Sequence, residues 1–503
     1  MTKSIPPSFA ALAMLIAAPA QANELRDDLT ADMPGLMELY RDLHANPELS
    51  FEEHETAAKL AARMRDLGFE VTEKVGRTGV VSVMRNGDGP TVLLRADMDG
   101  LPVQEETGLP HASKKQMTDD LGNTVYTMHA CGHDVHMTSF IGTARLLGQL
   151  RDRWSGTLVM IGQPAEERGA GARAMLEDGL FKRFPVPDYC IALHVASDQP
   201  AGTIGYNSGY VYANVDSVDI TVRGQGGHGS QPQASKDPIV LASQIIIALQ
   251  TIVSREAHPR EPAVVTVGSI HGGTKHNIIP NEVKLQLTVR SYTDKVRNQI
   301  IAAIRRISLG TAQAAGVAKD RLPVVTVKDE FTPSAYNEPA LAKRVTDTMA
   351  DWLGKGTLIK RQPTMGGEDF GMYGRTGHKV PIFMFALGTV SSDLLKRFRA
   401  AGKPLAKRPR IPSLTCGASV ATLPATKFSM STNLSTEQIN AFQEDGYLIV
   451  PGLFDTEEAK ILHAAAKADK AFDQHAYDLE DGEGGKAQLV LWNKAGEDLW
   501  GSI

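Results

Sequence analysis

His129-Ala-Cys-Gly-His-Asp134 runs without a break into VHMTSFIGTARLLGQL at 135–150, and the reading of this stretch sets the fold class. Val135, Met137, Phe140, Ile141, Ala144, Leu147 and Leu150 recur at helical spacing, so a helix begins near His133. Cys131 and His133 then sit at its N-terminus. Free N–H groups and the positive end of the helix dipole lower a thiol's pKa there, and thiolate is the form that binds metal. Gly132 permits the tight turn that lets both side chains converge on one point.

Working outward, the apolar run at 91–94 reads as a buried strand and leads into Arg95-Ala-Asp97-Met-Asp99-Gly100. A second strand at 157–161 ends in Gln163-Pro-Ala-Glu166-Glu167, and a third at 191–195 carries His194 at its end. Strands alternating with helices predict an α/β protein, and polar residues beyond strand ends lie where open α/β sheets place their ligands. Upstream, residues 36–67 are helical in pattern, broken at Asn46-Pro47 and stopped by Gly68.

Between 209 and 328 the rhythm changes. Strands are expected at 217–223, 264–270, 283–291 and 323–328, with helices at 238–254 and 294–314. That β-α-β-β-α-β order is the split βαβ arrangement of a ferredoxin-like domain, here inserted into the first sheet. The first domain therefore takes residues 23–208 and 329–402, resuming with a helix at 339–353, the turn at 366–371 and a strand at 380–387.

The chain has 503 residues, 42% hydrophobic and 22% charged, which is globular and long enough for several domains. A net charge of -5 provides no basic field, so nucleic acid is not an expected partner. Cys131, Cys190 and Cys416 are too few, and odd in number, for a disulfide framework. Lys3, the apolar run at 9–18, Pro19 and Ala20-Gln-Ala22 have the form of a secretory signal over 1–22, so the mature protein is expected to be exported, periplasmic or secreted. No later segment reads as membrane-spanning.

Seven motifs in order resemble the M20 family of metallo-amidohydrolases, in particular the branch with hippurate hydrolase and the hydrolases of auxin–amino acid conjugates. They are RADMDGLP at 95–102, HACGHDVH at 129–136, QPAEE at 163–167, ALH at 192–194, GGHGSQP at 226–232, the 277–290 segment and GGEDFG at 366–371. The resemblance covers about 36–402 and implies a zinc-peptidase-like catalytic domain with a mixed central sheet and a ferredoxin-like lid that also dimerises. It implies that Cys131, His133, Glu167 and His194 bind two divalent metals, with zinc the first expectation and manganese, cobalt or nickel compatible with the same ligands. Glu166 would be the general base, and the paired carboxylates on extended backbone would face opposite ways, one to metal and one to water. Asp97 would orient a ligand, although Arg95 stands where many relatives in other branches have a ligating histidine. His228 would reach the partner subunit's site to stabilise the oxyanion beside Asn277, and Arg290 would hold the substrate carboxylate. The implied substrate is an N-acyl amino acid or a small peptide-like amide.

The resemblance also implies a further ligating histidine beyond the strand at 380–387, and the sequence has none between His378 and His463. In its place, 403–429 reads as a linker without periodicity. Residues 430–503, beginning at Met430 and including FQEDGYLIVPGLFD at 442–455, resemble the N-terminal part of a phytanoyl-CoA dioxygenase-like protein, without that family's His-x-Asp motif. A fusion or frame change near 404 would account for the break. The alternative to an active hydrolase is an impaired homologue that only binds.

Overall fold

The computed structural model describes residues 19–400 and the segments 476–480 and 486–490. The chain divides into two compact units, 1–422 and 423–503. The expected linker and most of the dioxygenase-like segment lie outside the described residues, as does the signal up to residue 18. Within the second unit, 476–480 and 486–490 pair as antiparallel strands.

The first unit opens with α1 (Pro19–Ala45) and α2 (His54–Asp66). Helix α1 reaches back well before the expected start at 36 and takes Pro34 inside it. There follow β1 (Glu70–Val75), β2 (Gly79–Asn86), β3 (Thr91–Asp97), a hairpin of β4 (Gln116–Thr118) and β5 (Thr124–Tyr126), α3 (His133–Gln149) and β6 (Gly156–Gln163). Then come α4 (Gly171–Glu177), α5 (Leu180–Arg183), β7 (Tyr189–Pro200), β8 (Ile204–Tyr206) and β9 (Gly209–Tyr212). The lid comprises β10 (Asn214–Arg223), β11 (Gly227–His228), α6 (Pro238–Thr251), β12 (Ala263–His271), β13 (Ile278–Ile279), β14 (Glu282–Ser291), α7 (Asp294–Ala314) and β15 (Val324–Val327). The chain returns through β16 (Ala335–Asn337), α8 (Pro339–Leu353), β17 (Leu358–Lys360), α9 (Gly371–Gly374), β18 (Ile382–Val390) and α10 (Ser392–Ala400).

The main sheet is mixed and ten-stranded, in the order β1-β2-β6-β3-β7-β18-β16-β9, with β8 also paired to β18 and β17 paired to β8. Its central strands are parallel: β3 pairs with β6 and β7, and β7 pairs with β18. Parallel neighbours need a crossover, which α3 supplies between β3 and β6. Both faces are covered, so these strands read as apolar runs rather than alternating ones. Leu39, Leu60, Met64, Met137 and Phe140 close one face, and Met175, Phe181, Phe370 and Tyr373 the other.

The lid sheet runs β12-β14-β10-β15, all antiparallel, the ferredoxin-like order expected from the sequence. Strands β10 and β14 alternate buried and outward residues, because only one face is packed, against α6 and α7. One expectation fails here. Pro238–Glu256 is long and apolar enough to cross a membrane, with a mean hydropathy of 1.5. Its Leu241, Ile245, Leu249 and Ile252 pack into the lid core, while Ile247 is 72% exposed.

Candidate metal centre

Three strands and two turns bring the polar side chains together. Asp97 ends β3 and Gln163 ends β6. His194 lies in the middle of β7 rather than at its end, because that strand continues to Pro200 alongside β18. Gly132, at φ 79°, caps α3 in the left-handed region, and a Cβ there would stand 2.6 Å from Val195 Cγ2. The Cys131–His133 turn can therefore press directly against the strand that carries His194.

Donor atoms of Cys131, His133 and His194 lie within 4.8 Å of one another, and so do those of His133, Glu166 and Glu167. His133 Nδ1 donates to the Asp99 carbonyl at 2.8 Å, which leaves Nε2 as the lone-pair nitrogen. That Nε2 is buried without a hydrogen-bond partner, 3.5 Å from Asp97 Oδ2 and 3.9 Å from both Glu166 Oε2 and Glu167 Oε1. An orphaned nitrogen is costly in a protein interior. A cation resolves it, and thiolate, imidazole and carboxylate together suit zinc-like ions. His194 Nδ1 donates to the Val195 carbonyl at 2.7 Å, which likewise leaves its Nε2 free to ligate.

The paired carboxylates depart from expectation. Glu166–Arg168 is a single 3-10 turn, not extended backbone, so both acids face His133 instead of opposite ways. Asp99 builds that turn by accepting the amides of Glu166 at 3.1 Å and Glu167 at 3.0 Å, along with the Ser50 hydroxyl at 2.6 Å. Sequence reasoning gave Asp99 no role; its signal was its place in the RADMDG turn.

Arg95 is fully buried and acts as a hub rather than a ligand. It donates to Gln163 Oε1 at 3.0 Å, Asp97 Oδ2 at 2.6 Å, Glu368 Oε1 at 2.9 Å and Asp369 Oδ1 at 3.1 Å. Glu368 and Asp369 reach Glu166 from the 366–371 turn, so that motif also belongs to the site. Asp97 joins Arg95 to His136, whose Nδ1 donates to Asp97 Oδ1 at 2.5 Å.

Charge follows from this packing. Burial alone would raise Asp97, but Arg95 and His133 hold it well below the usual carboxylate range. Burial disfavours a charged His133, yet with no cation at the centre Asp97 and Asp99 outweigh it and raise its pKa well above the ordinary imidazole value; a cation at Nε2 would oppose that protonation and keep the lone pair. Burial, with Glu368 and Asp369 alongside, pushes Glu166 well above the usual carboxylate value. The Cys131 thiol goes opposite to expectation: burial and the Glu167 and Glu166 carboxylates raise it when no cation is present. Cationic charge at Cys131–His133–His194 is what would restore the thiolate.

The lid residues form their own group. His228 and Asn277 meet on the small β11–β13 ladder, where the Gly229 amide donates to the Asn277 carbonyl at 2.9 Å. Asn277 Oδ1 is buried without a partner, and His228 is exposed with Nδ1 2.7 Å from the Ser230 hydroxyl. Among the described residues, no hydrogen bond or ion pair joins either to the His133 cluster. Arg290 is partly buried, and its Nη1 donates to the Met365 carbonyl at 2.8 Å, just before the Glu368 turn.

Fold and candidate donor set together point to a hydrolase of the α/β class with an inserted lid. The chain belongs to the peptidase family M20/M25/M40, whose model matches residues 93–397. It is 38% identical over 362 residues to the N-acetylcysteine deacetylase of Bacillus subtilis, covering 71% of this chain and 89% of that one. It is 38% identical over 348 residues to the hippurate hydrolase of Campylobacter jejuni, covering 68% and 86%. A solved Bacillus subtilis structure, described as a dinuclear metal binding peptidase from the M20 family, superposes with a TM-score of 0.59 at 34% identity, covering 72% and 90%.

Proposed function

We propose that this protein is a metal-dependent amidohydrolase that cleaves the amide bond of N-acyl amino acids of the hippurate kind, or of small peptide-like substrates. The observation that carries the reading is the partnerless Nε2 of His133, buried where Cys131, His194, Glu166 and Glu167 converge. Cys131, His133, Glu167 and His194 would hold two divalent ions, zinc first, with manganese, cobalt or nickel compatible. Such ions supply Lewis acidity and an acidified water at neutral pH. Glu166 would take a proton from the attacking water and hand it to the nitrogen of the departing amino acid as the amide bond breaks. Asp97 sets the field beside His133, Arg290 binds the substrate carboxylate as a bidentate donor, and Asn277 with His228 steadies the oxyanion. For His228 the reading requires a homodimer formed through the lid. The leader-like N-terminus supports a proposal of export to the periplasm or beyond. Support comes from the family and from relatives whose names describe hydrolysis of acyl amino acids.

A second reading, an impaired binding protein, is favoured by one observation: the only histidine between the 366–371 turn and His463, His378, is exposed and packs on Phe181. Metal content after purification, paired with hydrolysis of benzoylglycine and acetyl amino acids, separates the two. Bound metal with turnover that Glu166→Ala abolishes supports the enzyme; metal-free, inert protein overturns it.

A further inference from the structure

Behind the Cys131–His133 turn lies a second buried cluster that the chemistry above does not use. His44, near the end of α1, is fully buried. Its Nδ1 is 2.6 Å from Asp134 Oδ2, and its Nε2 is 3.1 Å from both oxygens of Glu105. A ring with a carboxylate at each nitrogen must donate from both, so it carries two N–H groups and a positive charge.

Each carboxylate anchors something different. Asp134 follows His133 directly, and its other oxygen accepts the Val135 amide at 2.8 Å, fixing the first turn of α3. Glu105 belongs to the long segment between β3 and β4, where it accepts the Ser113 amide at 2.5 Å and the Thr107 hydroxyl. The rings of Tyr40 and His111 wall His44 at 5.6 Å and 5.2 Å, keeping water away.

We propose that His44 is a positioning residue for the metal centre: a buried cationic bridge that ties the first turn of α3, and with it His133, to the 101–115 segment through Glu105. This rests on reading His133 as a ligand. Without the bridge, two buried carboxylates face each other across an emptied space, and the turn that aims His133 Nε2 relaxes. Outer-shell partners of metal ligands typically act in this way.

The test is zinc retention by the full-length protein against a graded chelator, beside denaturant unfolding. His44→Gln is expected to loosen zinc about ten- to a hundredfold. Adding Glu105→Gln, which removes one stranded carboxylate, is expected to recover part of that loss. Leu341→Ala, in a core patch away from the cluster, controls for destabilisation alone. Wild-type retention in folded His44→Gln overturns the proposal, and so does a loss that Glu105→Gln fails to relieve and Leu341→Ala reproduces. If His44→Gln does not fold, Glu105→Gln alone is read by the same titration, expecting a smaller loosening, and unchanged retention there overturns it. Failure of the wild type to bind zinc would instead defeat the ligand assignment.

Discussion

His136 Nε2 accepts the amide proton of Val195 at 2.9 Å while Nδ1 donates to Asp97, so neither ring nitrogen is left for a cation. His136 lies near enough to Asp97 and His133 to resemble a ligand. Its bonds make it a brace, fixing Asp97 on β3 and the peptide next to His194 on β7. Burial keeps it neutral, with its pKa pushed down to about 4. His136→Ala is therefore expected to leave the number of bound ions unchanged while weakening their retention about ten- to a hundredfold. Metal per protein before and after chelator dialysis measures both.

The two acids of the 166–168 turn should separate by role. Glu166→Gln is expected to retain metal and lose about a hundred- to ten-thousandfold in kcat. Glu167→Gln should lose metal. Steady-state kinetics on benzoylglycine beside elemental analysis decides the matter, and equal metal loss in both variants would contradict the division.

Arg95 is the single cation shared by Asp97, Glu368 and Asp369 in the interior. Removing one partner of such a network strands the remaining charges, typically at a cost of about 3–5 kcal/mol. Arg95→Met is expected to lower the unfolding free energy by that order. Urea titration of the metal-free protein checks it, and a variant as stable as wild type would show that the network is not coupled.

Glu53 gives a pH dependence. It accepts the amides of Phe51 and Ala165 and the Thr78 hydroxyl, yet burial and the nearby Asp99 raise its pKa from 4.5 to about 7. A folded-state pKa above the unfolded value contributes stability that is present below pH 4.5 and lost as the pH rises through about 7. Metal-free wild type should therefore lose Tm relative to Glu53→Gln across that window. Parallel melting profiles would refute the assignment.

Much of this was legible along the chain because periodicity and turn chemistry are local. The helix over Asp294–Ala314 and the lid's strand order follow directly from spacing. The grouping of Cys131, His133, Glu166, Glu167 and His194 came instead from the resemblance; spacing alone said only that polar residues near strand ends and a helix start in an α/β sheet lie towards one edge. The roles of Asp99, His136, Arg95 and His44 were hidden. Each depends on partners 34 to 273 residues away, and no periodic pattern encodes which buried polar groups will meet.

The sequence by itself determined the class of fold and the order of elements in the inserted domain, because apolar spacing and turn chemistry are written residue by residue; the donor set entered through the motifs of the resemblance. Only the tertiary structure decided which nitrogen of each histidine is free, that Glu166 and Glu167 share a 3-10 turn, and that the Cys131 thiol is raised rather than lowered. Protonation and aim depend on the burial and charge that distant segments impose on one another, and those exist only once the chain has folded.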